Sequence, residues 1–167
     1  MKLLHTPILE EDISSLRIGE SISISGKIYC GRDAVLPKIC KLIEEGRLEE
    51  YGIDLQGGVL FHTAVSAAGV GPTSSNKPEI EGSFQALSKQ GIKLHLGKGK
   101  ISKASIKLLD TYHSVYAVIP PVTALLTQKI ISKTVVAFPE LGMEAFYELE
   151  VADYPAIIAA IHNDSIY

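Results

Sequence analysis

Three short stretches of the 167-residue chain concentrate groups that could hold a small anion: Gly31-Arg32-Asp33, GPTSSNK at 71–77, and Gly97-Lys98-Gly99. They offer the cations Arg32, Lys77 and Lys98 together with the hydroxyls of Thr73, Ser74 and Ser75. Cations form charge-assisted hydrogen bonds to carboxylate or phosphate, and hydroxyls with backbone N–H groups can complete the donor set. Each stretch also has an ordinary alternative. An arginine beside a helix start is commonly a surface residue, a Thr-Ser-Ser run can bond its own backbone in a turn, and a lysine between glycines is commonly solvated. Each stretch follows an apparent strand, and in open α/β sheets such loops gather at one edge, where helix N-termini present N–H groups to anions. The three loops are therefore expected to converge.

The pattern excludes two familiar anion chemistries. A nucleotide P-loop needs glycine immediately before its lysine and a hydroxyl after it, but Asn76 precedes Lys77 and Pro78 follows. No GxSxG elbow exists, and no histidine is placed by sequence to activate a serine. His62 lies in an apolar run and reads as a satisfied core histidine rather than a base, while His5, His95, His113 and His162 have no partner at ligand spacing. No metal site is expected. Spacing alone stops at an anion-binding loop.

The elements that must position these loops are read from periodicity. SISISGKIYC, residues 21–30, alternates as a strand and leads into Arg32; Asp33 is expected to cap a helix carrying Leu36, Ile39, Cys40 and Ile43, ended by Gly46. VLFHTAV at 59–65 is expected to be a strand that empties into the hydroxyl loop. A helix then carries Ile80, Phe84 and Leu87 to Gly91, with Asn76 as its cap and Pro78 in its first turn. IKLHL is a strand before Gly97, Ser102 caps a helix through Leu109, SVYAVI is a strand, and TALLTQKIIS is a helix. KTVVAF, MEAFYELEV and PAIIAAI read as three strands separated by turn residues. The fold class is a single mixed-sheet α/β domain over residues 1–167.

A net charge of -3 without a dense Lys/Arg tract argues against nucleic acid or an anionic membrane as partner. No run approaches the roughly 18 apolar residues of a membrane span. The two cysteines, Cys30 and Cys40, match neither a redox CxxC nor a zinc ribbon, so a reducing, cytoplasmic setting is expected.

In order, SGKIYCGRDAV, GVGPTSSNKPE, LGKGK and FPELGMEAFYELEVADYPAII resemble the β subunit, or C-terminal domain, of class I (iron-sulfur) fumarases and the similar L(+)-tartrate dehydratases, over nearly the whole chain. The resemblance implies a swivelling β/β/α fold and a hydro-lyase subunit. It most closely suggests fumarate hydratase, interconverting fumarate and (S)-malate with a cluster-bearing α subunit as hetero-oligomeric partner. It places a [4Fe-4S] cluster on that α partner and none on this chain. Arg32 falls on the family's arginine of RDAAH and is implied to be a carboxylate ligand. Thr73 falls on the first threonine of GPTT, implied to contact substrate and to take part in proton transfer, and Ser74 on the second. Lys77 falls on the arginine of GPTTSGRMD and Lys98 on the lysine of GKG, both implied to face the dicarboxylate.

The departures are specific. Val35 and Leu36 stand where the family runs to histidine, Lys77 keeps charge without arginine's planar fork, and Ile119-Pro120-Pro121-Val122 replaces an expected glycine-rich stretch. They leave two alternatives: a subunit acting on tartrate or another hydroxy acid, and a non-catalytic module that binds small anions.

Overall fold

The computed structural model describes residues 1–65, 77–120 and 123–167, and side chains at 77–80 and 123–125 are left aside. Among the described residues eight strands form one sheet: β1 (Lys2–His5), β2 (Ser21–Gly31), β3 (Val59–His62), β4 (Leu94–Gly97), β5 (Val115–Val118), β6 (Ile130–Ala137), β7 (Phe146–Ile161) and β8 (Asp164–Ser165). Five helices accompany them: α1 (Glu10–Ser14), α2 (Leu36–Glu44), α3 (Lys77–Lys89), α4 (Lys103–Thr111) and α5 (Thr123–Gln128).

Strands β1 through β5 are parallel neighbours in chain order. The long strand β7 then pairs antiparallel with both β5 and β2, so β2-β3-β4-β5-β7 closes on itself as a barrel. Alternation decides what faces the barrel interior. Ile22, Ile24, Ile28, Val59, Phe61, Leu94, Leu96, Val115, Leu149 and Tyr154 belong to one buried cluster. Their strand neighbours Tyr29, Leu60 and Tyr116 belong to two outer layers, packed with Ile39 and Leu42 of α2, Leu87 and Phe84 of α3, and Leu109 of α4. Those helices ride on the outside of the sheet.

The mixed single-sheet reading holds, with several corrections. MEAFYELEV and PAIIAAI are not two strands but the single β7. Ala152 and Asp153 make a bulge within it instead of a turn: Asp153 adopts φ 54, its N–H bonds Ser25 Oγ at 3.0 Å, and the register against β2 shifts between Ile24 and Gly26. An extra residue of this kind increases local twist, which helps a long strand curl across the barrel seam. TALLTQKIIS ends as a helix at Gln128, because Ile130 to Ala137 pair with β7, and the helix predicted through Ser132 yields to the edge strand. Asp33 does not cap α2. The Arg32 carbonyl accepts from Val35 N and Leu36 N at 3.1 and 2.9 Å, so a turn precedes the helix and Val35 occupies the cap without a side-chain bond. Strand β3 ends at His62, three residues short of the predicted end.

Candidate functional site

Because β2, β3, β4 and β5 are parallel and adjacent, their carboxyl ends meet at one edge. The register sets Gly31 opposite His62, Phe61 opposite Leu96, and Gly97 opposite Val118. Arg32 therefore leaves the sheet next to the connection that follows β3, and Lys98 leaves it one strand further on. With strands about 4.8 Å apart, the two cationic positions start about 10 Å from each other. The described start of the β3 connection, residues 63–65, leaves the sheet between them, and Lys77 opens α3. The predicted convergence is thus met for Arg32, Lys98 and the start of α3. Thr73, Ser74, Ser75 and Asn76 lie outside the described residues, as do the side chain of Lys77 and the Pro121-Val122 part of the stiff connection.

Arg32 is placed by space and by charge. Gly31 has no room for a side chain: a Cβ there would meet Val35 Cγ1 at 2.8 Å and Phe146 Cδ1 at 3.1 Å, so the backbone passes close under α2. The guanidinium Nε donates to Glu144, lying 2.9 Å from both carboxylate oxygens, with each side chain about three-quarters shielded from solvent. Glu144 ends a 3-10 turn, Pro139–Glu144, bracketed by left-handed backbone at Phe138 (φ 56) and broken at Gly142 (φ 60). The turn also ties down the β3 connection, because Val65 N donates to the Met143 carbonyl at 3.0 Å.

The Lys98 turn is anchored from below. Tyr116 Oη donates to the Gly99 carbonyl at 3.0 Å, and Ile119 N donates to Gly97 O at 3.1 Å. Burial holds the Tyr116 hydroxyl well above the usual phenol range, so it stays a neutral donor. Ser102 caps α4 as predicted, its Oγ accepting from Ser105 N at 3.1 Å, and its own N–H donates to Glu81 of α3 at 2.6 Å. That bond joins the helix opened by Lys77 to the segment after Lys98.

Under α3 the predicted core histidine has company. His62 Nε2 lies 3.0 Å from His95 Nδ1, and His95 Nε2 lies 2.8 Å from Ser88 Oγ. His62 Nδ1 is buried without a hydrogen-bond partner, so the residue is only half satisfied. Burial depresses its pKa to about 3 and drives His95 well below its ordinary value, with a smaller contribution from the repulsion two protonated rings would suffer. Both rings are neutral at pH 7.

Sequence reasoning passed over Glu144, although PELGMEA was singled out as a motif. No local signal pointed to it, because its partner Arg32 lies 112 residues away in the chain. The His62–His95 pair was legible once VLFH and LHL were neighbours, since the two rings sit diagonally on parallel strands.

Among the described residues no group of three or more His, Cys, Asp or Glu could hold a metal ion. Cys30 is fully buried in β2, with its thiol pKa driven up by burial, and Cys40 is half-buried on α2; both are free. Two cysteines in the whole chain, so placed, do not fit an iron-sulfur cluster bound on three thiolates. Among the described residues no helix is long and apolar enough to cross a membrane.

The family model for Fumarase C-terminus matches residues 2–165. The chain belongs to that family. A Methanocaldococcus jannaschii protein named for the beta subunit of L(+)-tartrate dehydratase is 29% identical over 182 residues, covering 100% of this chain and 91% of the relative. The L(+)-tartrate dehydratase subunit beta of Escherichia coli is 29% identical, covering 96% of this chain and 82% of the relative. The anaerobic class I fumarate hydratase of Escherichia coli is 28% identical, covering 93% of this chain but 30% of the relative. This member of the fumarase C-terminus family thus spans most of a tartrate dehydratase β subunit and about a third of a class I fumarase. These three relatives are named as hydro-lyases or their subunits.

Proposed function

We propose that the chain, as one domain over residues 1–167 of swivelling β/β/α type, is the β subunit of an iron-sulfur-dependent hydro-lyase, most closely a fumarate hydratase interconverting fumarate and (S)-malate. The observation that carries this reading is the delivery of Arg32, the start of α3 and Lys98 to one edge of the sheet by successive parallel strands. In it Arg32, Lys77 and Lys98 orient the two carboxylates, the charge-assisted bonds that a dicarboxylate demands. Thr73 and Ser74 add hydroxyl contacts, and Thr73 serves in proton transfer to or from the bound substrate. The cluster, which the cysteines of this chain do not fit, is assigned to a cytoplasmic α partner. Names of relatives that span full β subunits support a hetero-oligomer.

A second reading, L(+)-tartrate as substrate, is favoured by those same β-subunit names and by Lys77, whose compact ammonium lacks the planar fork of arginine. Assay of the co-expressed αβ complex against fumarate, malate and L(+)-tartrate decides between them through the ratio of kcat/KM values. Turnover of fumarate and malate above tartrate supports the first reading, and the reverse order supports the second. Absence of turnover on all three overturns both in favour of a non-catalytic anion-binding module.

A further inference from the structure

Arg32 and Glu144 are 112 residues apart in the chain, yet their contact is built from both sides. On one side, Gly31 presses the backbone against Val35 and Phe146, so the root of Arg32 has one path. On the other, the turn bearing Glu144 is held by three contacts. Phe138 stacks on Tyr51 at 5.8 Å, the Met143 carbonyl accepts from Val65 N, and Phe146 stacks on Tyr29 at 5.3 Å with the rings 10° from parallel. A solvated surface pair, by contrast, has both long side chains free to leave.

The geometry is also chemically selective. A guanidinium is planar and carries one N–H on Nε and four on its two terminal nitrogens. Glu144 takes the Nε–H, with both oxygens at 2.9 Å, which fixes the rotation of the plane about the side-chain axis and aims the terminal nitrogens. We infer that Glu144 is the positioning residue for Arg32, setting the one orientation in which the guanidinium meets a substrate carboxylate; this rests on the reading of Arg32 as a carboxylate ligand. The same turn, through Met143, holds the first residues of the connection that carries Thr73. One loop therefore sets the stance of both flanking segments.

The test compares Glu144→Ala with Glu144→Gln in the αβ complex and in the isotope-labelled chain. Glutamine keeps an acceptor for Nε–H at the same reach, and alanine removes it. The expected result is a KM for dicarboxylate raised about tenfold in Glu144→Ala, with kcat changed by less than about threefold, and substantial recovery in Glu144→Gln. Unchanged kinetics in Glu144→Ala, or equal damage in both variants with equal loss of thermal stability, overturns the inference.

A second readout does not depend on the enzyme. Arg17, Arg32 and Arg47 are the arginines of the chain, so the Arg32 Nε–H resonance is assignable by Arg32→Lys. It should exchange slowly in the parent chain and in Glu144→Gln, and rapidly in Glu144→Ala. A resonance unmoved by Glu144→Ala overturns the inference even if the complex turns over none of the substrates, an outcome that counts against the proposed function alone.

Discussion

His62 Nε2 and His95 Nδ1 lie 3.0 Å apart inside the protein, and His95 passes the chain on to Ser88 of α3 at 2.8 Å. A neutral pair satisfies this geometry with one ring donating and the other accepting. Phe84 packs against both rings, 5.4 Å from His62 and 4.6 Å from His95, so a charge here has no water to face. The pair ties the helix opened by Lys77 to the strands that carry the loops.

Stability should therefore depend on pH with a definite sign. The folded chain holds His62 unprotonated down to about 3, while the unfolded chain takes a proton near 6.5. Protonation thus favours the unfolded state, so the full stability is present above about 6.5 and is lost as pH falls toward 3. One proton taken up on unfolding gives a slope of about 1.4 kcal/mol per pH unit within that window, and His95, also held well below its ordinary value, acts in the same direction. Urea unfolding at pH 7.5, 6.5 and 5.5 measures it: near-constant stability across the first interval and a marked fall across the second is expected. His62→Gln should make that fall shallower.

Gly31→Ala tests how tightly the root of Arg32 is held. The added Cβ would lie 2.8 Å from Val35 Cγ1, 3.1 Å from Phe146 Cδ1 and 3.2 Å from Leu36 Cδ2, all on buried side chains with little freedom to retreat. Overpacking of this kind costs about 1–3 kcal/mol. Denaturant unfolding should show that loss, together with weaker dicarboxylate binding by the complex.

Tyr116→Phe removes the donor to the Gly99 carbonyl while keeping the ring that packs on Gly97. Loss of one such bond costs about 1 kcal/mol. The expected outcome is a small drop in thermal midpoint and a KM for dicarboxylate raised by a few fold, with kcat nearly unchanged. An unaltered KM would separate the Lys98 turn from the substrate.

Much of the positioning frame was legible because it rests on local signals. Ser102 followed by a periodic run marked a helix start, and the alternation of Ile22, Ile24 and Ile28 marked the strand that ends at Arg32. Barrel closure was not legible, since it depends on β7 reaching β2 and β5 at once, a long-range pairing that no local period encodes. The dipeptide Ala152-Asp153 looked like a turn for the same reason: a residue that tolerates φ 54 serves a bulge as well as a turn. Convergence of Arg32 and Lys98 followed from strand order. Glu144 did not, because its partner is 112 residues away.

The most direct measurement is kcat/KM for fumarate hydration by the reconstituted αβ complex, with this chain as parent and as Arg32→Ala. The parent complex should convert fumarate to malate. Arg32→Ala should lower kcat/KM by about a hundredfold or more, the loss of a charged contact to a carboxylate, in a chain that stays folded although its thermal midpoint falls with Glu144 left unpaired. A parent complex without hydro-lyase activity, or an Arg32→Ala complex as active as its parent, would contradict the assignment of this sheet edge as the dicarboxylate site.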